Sequence, residues 1–217
     1  MNQTDAPDAF RRLAERLALL QSLTAKLAAA RAPEAIAAVI MREALPRLGA
    51  DIGVVAIVSE DGTTLKNIGF EGVSGDTQAQ WQTYPIESPV PVAECAKTGE
   101  LICVKTRDER TRRYPVLAAV HGEDEGGPVI ALPLKVAERT AGVLAFCFPH
   151  LTPFEQHDIE FFRALADQCA VALERAALEA DLRRQQTELK SREQRLELIH
   201  RTAGIGAWEW NADTNEV

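Results

Sequence analysis

No stretch of the 217 residues stays apolar for the roughly 18–20 positions that a membrane-spanning helix needs. The start, Met1-Asn2-Gln3-Thr4-Asp5, lacks the basic-then-apolar build of a secretory signal, so a cytoplasmic location is expected. An excess of positive charge is missing as well. The formal net charge is −8, which argues against a nucleic-acid partner because phosphate binding needs a basic surface. Cysteines are few, and Cys95, Cys103, Cys147 and Cys169 show neither CxxC spacing nor clustering with histidines. No metal site is expected from them. In a reducing compartment each is better placed as a small buried hydrophobe than as a disulfide partner.

What remains is the composition of a soluble globular chain: 46% hydrophobic and 26% charged residues, enough for one domain with additions. One basic run interrupts the acidic balance. Lys105, Arg107, Arg110, Arg112 and Arg113 stand against Asp108 and Glu109. A solvated loop is the expectation there, with a phosphate-bearing ligand as the sharper alternative.

Phe10, Leu13, Leu17, Leu20 and Leu27 step by threes and fours, with Thr24 in the skipped slot. Leu19 and Leu23 widen the stripe, so this first helix has apolar surface for a partner as well as for its own core. Pro33 opens a second helix, with Ile36, Val39, Ile40 and Leu45 on its buried face and Gly49 at its end. The period then shortens. Residues 51–58 read as a strand closed by the hairpin signal Asp61-Gly62, and Leu65 to Phe70 as the returning strand. A loop with a short helix is expected over Glu71–Pro91, a compact helix over Pro91–Lys97, and a strand over Leu101–Val104. Another short helix is expected over Tyr114–His121. Two strands, Val129–Val136 and Gly142–Phe148, follow around the link Ala137-Glu138-Arg139-Thr140. This order predicts an α+β fold with a mainly antiparallel sheet flanked by helices.

From Thr152, a cap followed by Pro153 and Glu155, the pattern turns helical for a long way. Phe161, Phe162, Leu165, Ala166, Cys169, Val171, Ala172 and Leu173 make a face expected to dock on the sheet. Beyond Ala176 the apolar residues thin to a seam. Leu182, Leu189 and Leu196 recur every seven, interleaved with Leu178, Gln185, Arg192 and Ile199. Such a repeat predicts a left-handed coiled coil, weakened by its polar slots. A second copy of the chain is the economical partner. The expected dimer seam is Leu13, Leu17 and Leu20 of the first helix with Leu182, Leu189 and Leu196 of the last. After Gly204-Ile205-Gly206, Trp208 and Trp210 alternate as in a strand, and Asp213–Glu216 reads as a turn.

Several stretches together resemble a GAF domain: Pro33–Ile40 as its opening helix, Pro91–Glu100 as the short helix before its middle strand, Val129–Leu134 with Gly142–Phe146 as its central hairpin, and Leu151–Arg175 as its closing helix. Residues 204–211 resemble the opening of a PAS domain. The expected organisation is therefore a dimerisation helix over 1–30, a GAF sensor domain over 31–177, a coiled-coil signalling helix over 178–203 and the start of a PAS domain over 204–217. The resemblance implies a non-enzymatic module of a bacterial sensor protein of histidine-kinase or cyclic-di-GMP type. It would relay the state of a ligand pocket to downstream PAS and output domains of the same polypeptide.

A GAF pocket lies between one sheet face and the loops and short helices over it. The candidate lining residues here are Trp81, Tyr84, Cys95, Tyr114 and His121, each with a plainer role as core filler or surface residue. The cofactor is an unknown small molecule or none. Covalent bilin attachment is not expected, because no cysteine adjoins a histidine; the signature of cyclic-nucleotide-binding members is also absent. His121 alone leaves haem ligation open. The enzymatic rival is the free methionine sulfoxide reductase type, which needs a reactive thiolate and a resolving cysteine. Cys95 and Cys103 are eight apart, but the loop before Val129 holds no cysteine where that family keeps its key one. His200 lacks the neighbouring acid of a phosphoacceptor site and reads as a helix-end residue.

Overall fold

The structure, a computed structural model, describes residues 5–117, 127–148 and 154–203, with the backbone alone at 5–13, 196–197 and 199–203. Helix α1 spans Asp5–Ala29. Its core-facing side is Leu19, Leu23 and Leu27, four apart and at most 6% exposed, while Leu17 is 56% exposed. Leu20 packs partly against the core, and the side chain of Leu13 lies outside the described residues. Helix α2 (Pro33–Val39) starts on its proline. The chain then widens into one π-helical turn, Ile40–Ala44, before α3 (Leu45–Leu48). Pro46 has no N–H to return to residue 42, so the α-helical ladder is interrupted there.

Strands β1 (Ile52–Val58) and β2 (Thr64–Glu71) form the expected hairpin. Asp61 caps its turn, accepting from the Thr63 amide at 3.1 Å and from the Ser59 hydroxyl at 2.5 Å. The segment over Glu71–Pro91 holds helix α4 (Gly75–Gln80) and also a strand, β3 (Thr83–Pro85), paired with β2. Three residues ending in proline carry no alternation to announce such an edge strand. Helix α5 (Pro91–Thr98) and strand β4 (Ile102–Val104) follow.

The basic run is not a loop. It forms helix α6 (Arg107–Arg113), and Arg110 is buried at 3% exposure. Thr106 supplies the cap, its hydroxyl accepting from the Glu109 amide at 3.2 Å, and Asp108 and Glu109 favour the first turn. Pro115–Leu117 make a single 3-10 turn; the rest of the helix expected to His121 lies outside the described residues. In the last hairpin, β5 (Val129–Val136) and β6 (Arg139–Cys147), the turn is only Ala137-Glu138. Arg139 and Thr140 already pair with Val136 and Lys135.

The six strands run in the order β3-β2-β1-β6-β5-β4, every neighbour antiparallel. The α+β class is thus as expected. Alternation divides the side chains between two faces. On the first, Val55, Ile130, Leu132, Leu144 and Phe146 meet Leu23 of α1, Ile36 of α2, and Phe162 and Leu165 of the last helix, α7 (Gln156–Ala203). Each such side chain stabilises the fold by about 1.5–3 kcal/mol. The glycines of β1 and β2 let α2 and the π-helical turn come close. A Cβ at Gly53 would lie 2.8 Å from Met41 Sδ, and one at Gly69 would lie 2.9 Å from Ala37 Cβ. The second face carries Ala56, Leu65, Ala131, Val143 and Ala145 under α5, Tyr84 and Tyr114.

The chain divides into two compact units at Ala176/Ala177. In the first, α7 buries Phe161, Phe162, Leu165, Ala166, Cys169, Ala172 and Leu173, but not Val171. That residue is 63% exposed, a correction to the expected docking face. It sits seven residues before Leu178 in the sequence. In the second unit, α7 leaves Leu178, Leu182 and Leu189 at 57–61% exposure. Charged flanks pair along the helix, Arg183 with Glu179 at 3.2 Å. The side chains of Leu196 and His200, and all of residues 204–217, lie outside the described residues. Among those described, no helix is long and apolar enough to cross a membrane.

Candidate functional site

A β-bulge opens the site. Gly69 pairs with Val55 but Asn67 pairs with Ala56, so Ile68 is the extra residue of β2. The bulge turns Asn67 and Phe70, three apart, to the same sheet face, where Ile52 and Val54 of β1 and Ala145 and Cys147 of β6 also stand. Together with Trp81, Tyr84, the turn Val90-Pro91-Val92 into α5, and Leu117, these residues line a half-open cavity of about 70 Å³.

Its polar groups are held from behind. Asn67 Nδ2 donates to the Trp81 carbonyl at 2.8 Å, and the Asn67 amide donates to the Gln82 carbonyl at 2.9 Å. Both bonds pin the α4–β3 link onto β2. The Tyr84 hydroxyl donates to Asn67 Oδ1 at 3.4 Å, long for an O–H···O bond. Trp81 meets the Tyr84 ring edge-on, with centroids 5.2 Å apart. Burial pushes the Tyr84 phenol above its ordinary pKa, so the hydroxyl keeps its proton.

Of the expected site residues, the structure brings Trp81 and Tyr84 to the cavity wall. Cys95 lies in the same core on α5, fully buried, and Tyr114 is 2% exposed; neither is among the described lining residues. Tyr114 instead clamps the cover, its hydroxyl donating to Glu94 Oε2 at 2.6 Å. Arg113 adds a bond to Glu94 Oε1 at 2.8 Å and one to Glu109 at 3.2 Å, tying α6 to α5. His121 lies outside the described residues. Asn67, Phe70 and Cys147 were not expected at the site. Asn67 was legible by strict alternation from Leu65, whereas Phe70 reaches this face only through the bulge; Cys147 was legible as the neighbour of Ala145 on the face opposite Phe146.

Burial governs the thiols. It pushes Cys95 and Cys169 up to about 12, and raises Cys103 with a smaller opposing pull from Lys105. Cys147 is raised by burial against the Arg110 guanidinium and the Gly127 amide, which both lower it. Arg110 also donates to the Gly127 carbonyl at 3.5 Å. Among the described residues no group of three His, Cys, Asp or Glu side chains could hold a metal ion.

The architecture has counterparts in solved structures. The GAF domain of a phosphoenolpyruvate-protein phosphotransferase from Acinetobacter superposes with a TM-score of 0.62 at 10% identity, over 76% of this chain and 97% of that one. The second GAF domain of DevS from Mycobacterium smegmatis gives 0.53 at 24% identity, over 69% and 99%. Residues 122 to 287 of a methyl-accepting chemotaxis protein give 0.60 at 13% identity, over 72% and 97%. At these identities the likeness shows the fold. The sequence profile of the GAF domain matches residues 30–174, two thirds of the length, and the chain belongs to the GAF family.

Proposed function

We propose that this chain is the sensory and dimerising part of a signal-transduction protein. A small molecule occupies the cavity under α5, and the state of the cavity is passed through α7 to further domains of the polypeptide. In this reading residues 204–217 begin a PAS domain, and an output domain of kinase or cyclic-di-GMP type lies beyond it. The occurrence of the same fold in a methyl-accepting chemotaxis protein supports a place in signalling.

The observation that carries the proposal is the change of character along α7. Over residues 161–176 its apolar residues, Ala164 and Val171 apart, are buried in the core; beyond them Leu178, Leu182 and Leu189 are spaced for a seam and exposed. An apolar stripe of this period is buried by a second helix, and a second copy supplies one. The polar slots Gln185 and Arg192 keep alternative registers of the pair close in energy, as a relay requires. The raised thiols work against the enzymatic alternative, since attack on a sulfoxide needs a thiolate.

Sedimentation of the purified chain tests the dimer. The wild type sediments as a dimer and Leu189→Asp as a folded monomer. A Leu189→Asp variant that stays dimeric would sink the seam.

A further inference from the structure

Resting on the reading of the cavity as a ligand site, we propose that its ligand is a small uncharged molecule whose polar group is a hydrogen-bond acceptor, a ketone or similar carbonyl compound, held by the Tyr84 hydroxyl. Three features of the walls lead there.

Size comes first. The cavity offers about 70 Å³, whereas an apolar cavity of about 150 Å³ is filled by benzene, and each liquid water takes about 30 Å³. Three or four non-hydrogen atoms fill this one. Charge is the second feature. The described walls carry no Lys, Arg, His, Asp or Glu, and an unpaired ion moved there from water loses far more solvation than these walls return. The buried cation Arg110 is not among the described lining residues and is engaged with the Cys147 thiol and the Gly127 carbonyl.

Polarity is the third. Asn67 gives one of its two side-chain amide hydrogens to the Trp81 carbonyl. The Tyr84 hydroxyl, on a side chain 7% exposed, reaches Asn67 Oδ1 only at 3.4 Å. A good O–H···O bond is about 2.5–3.0 Å, so this buried donor is poorly satisfied. An acceptor oxygen in the cavity satisfies it. The raised phenol pKa keeps it a donor at any physiological pH.

Acetone and acetate, four non-hydrogen atoms each, differ in the property at issue. Titrated into the labelled full chain and followed by amide NMR, acetone shifts Trp81, Tyr84, Val92 and Ala145 saturably. Its Kd is no tighter than about 40 µM, the ceiling for four atoms. Acetate leaves these amides in place, and Tyr84→Phe weakens acetone by roughly fivefold. Saturable acetate binding at the same amides overturns the uncharged class while leaving the cavity a ligand site. Unchanged acetone affinity in Tyr84→Phe overturns the hydroxyl as anchor. No saturable shift by acetone overturns the class as well, and xenon under pressure then separates the two readings. Xenon enters an accessible apolar cavity, so amides that xenon also leaves unmoved remove the ligand site itself.

Discussion

Phe70 owes its place to one inserted residue. With Ile68 accommodated as a bulge, an aromatic side chain that strict alternation from Leu65 would send to the helix-covered face stands at the cavity, beside Asn67, which holds the α4–β3 link by two hydrogen bonds. Burial dominates at Cys95, Cys147 and Cys169. Their raised values have a consequence for stability. The Cys95 thiol goes from an ordinary 9.0 to about 12 in the fold, and Cys169 does the same. A folded value above the unfolded one means the contribution is complete below about pH 9 and is lost as pH rises toward 12, because only the unfolded chain gives up the proton there. Urea unfolding at pH 8 and pH 10.5 therefore shows lower stability at the higher pH, with a shallower fall in Cys95→Ala. A stability flat across that interval would contradict the burial of these thiols.

Among the elements, α7 has two proposed purposes along one helix. Leu165 is fully buried and Leu189 is 57% exposed, and truncating each reads out a different purpose. Leu165→Ala lowers unfolding stability by about 2–5 kcal/mol, measured by urea titration of the monomeric Leu189→Asp background. Leu189→Ala leaves the stability of the domain within about 0.5 kcal/mol of its parent and acts on dimer dissociation instead. Most of these elements were legible in the sequence, because proline starts, glycine ends and the change of period from 3.6 to 2 each have a local physical cause. Helix α2 opens on Pro33 and α5 on Pro91, and the β1–β2 hairpin turns on Asp61-Gly62. What was not legible needed contacts between distant segments. The edge strand β3 exists because β2 offers it a partner. Helix α6 was hidden by its charge, although Thr106 and Glu109 spelled its cap. Val171 belongs to the exposed stripe despite its apolar side chain, because the helix turns that position away from the sheet. The cavity was half legible: Trp81 and Tyr84 were found as aromatics in a polar segment, while Phe70 depended on a bulge and Cys147 on which face of β6 meets the helices.

Between the cavity and the buried face of α7 lies the sheet itself. Ala145 faces the cavity from β6, and its neighbours Leu144 and Phe146 face the core that α7 packs against. A group added on one face therefore presses through a close-packed strand toward the helix on the other. Ala145→Leu adds three carbon atoms, near the capacity of the cavity, and stands in for an occupant. Hydrogen exchange of the dimer, compared between wild type and Ala145→Leu, tests the relay from cavity to seam. The proposed relay predicts that amides of residues 178–189 change protection by about threefold or more, alongside those of residues 81–92. Changes confined to residues 81–92 and the neighbouring strands, with 178–189 exchanging as before, would contradict it.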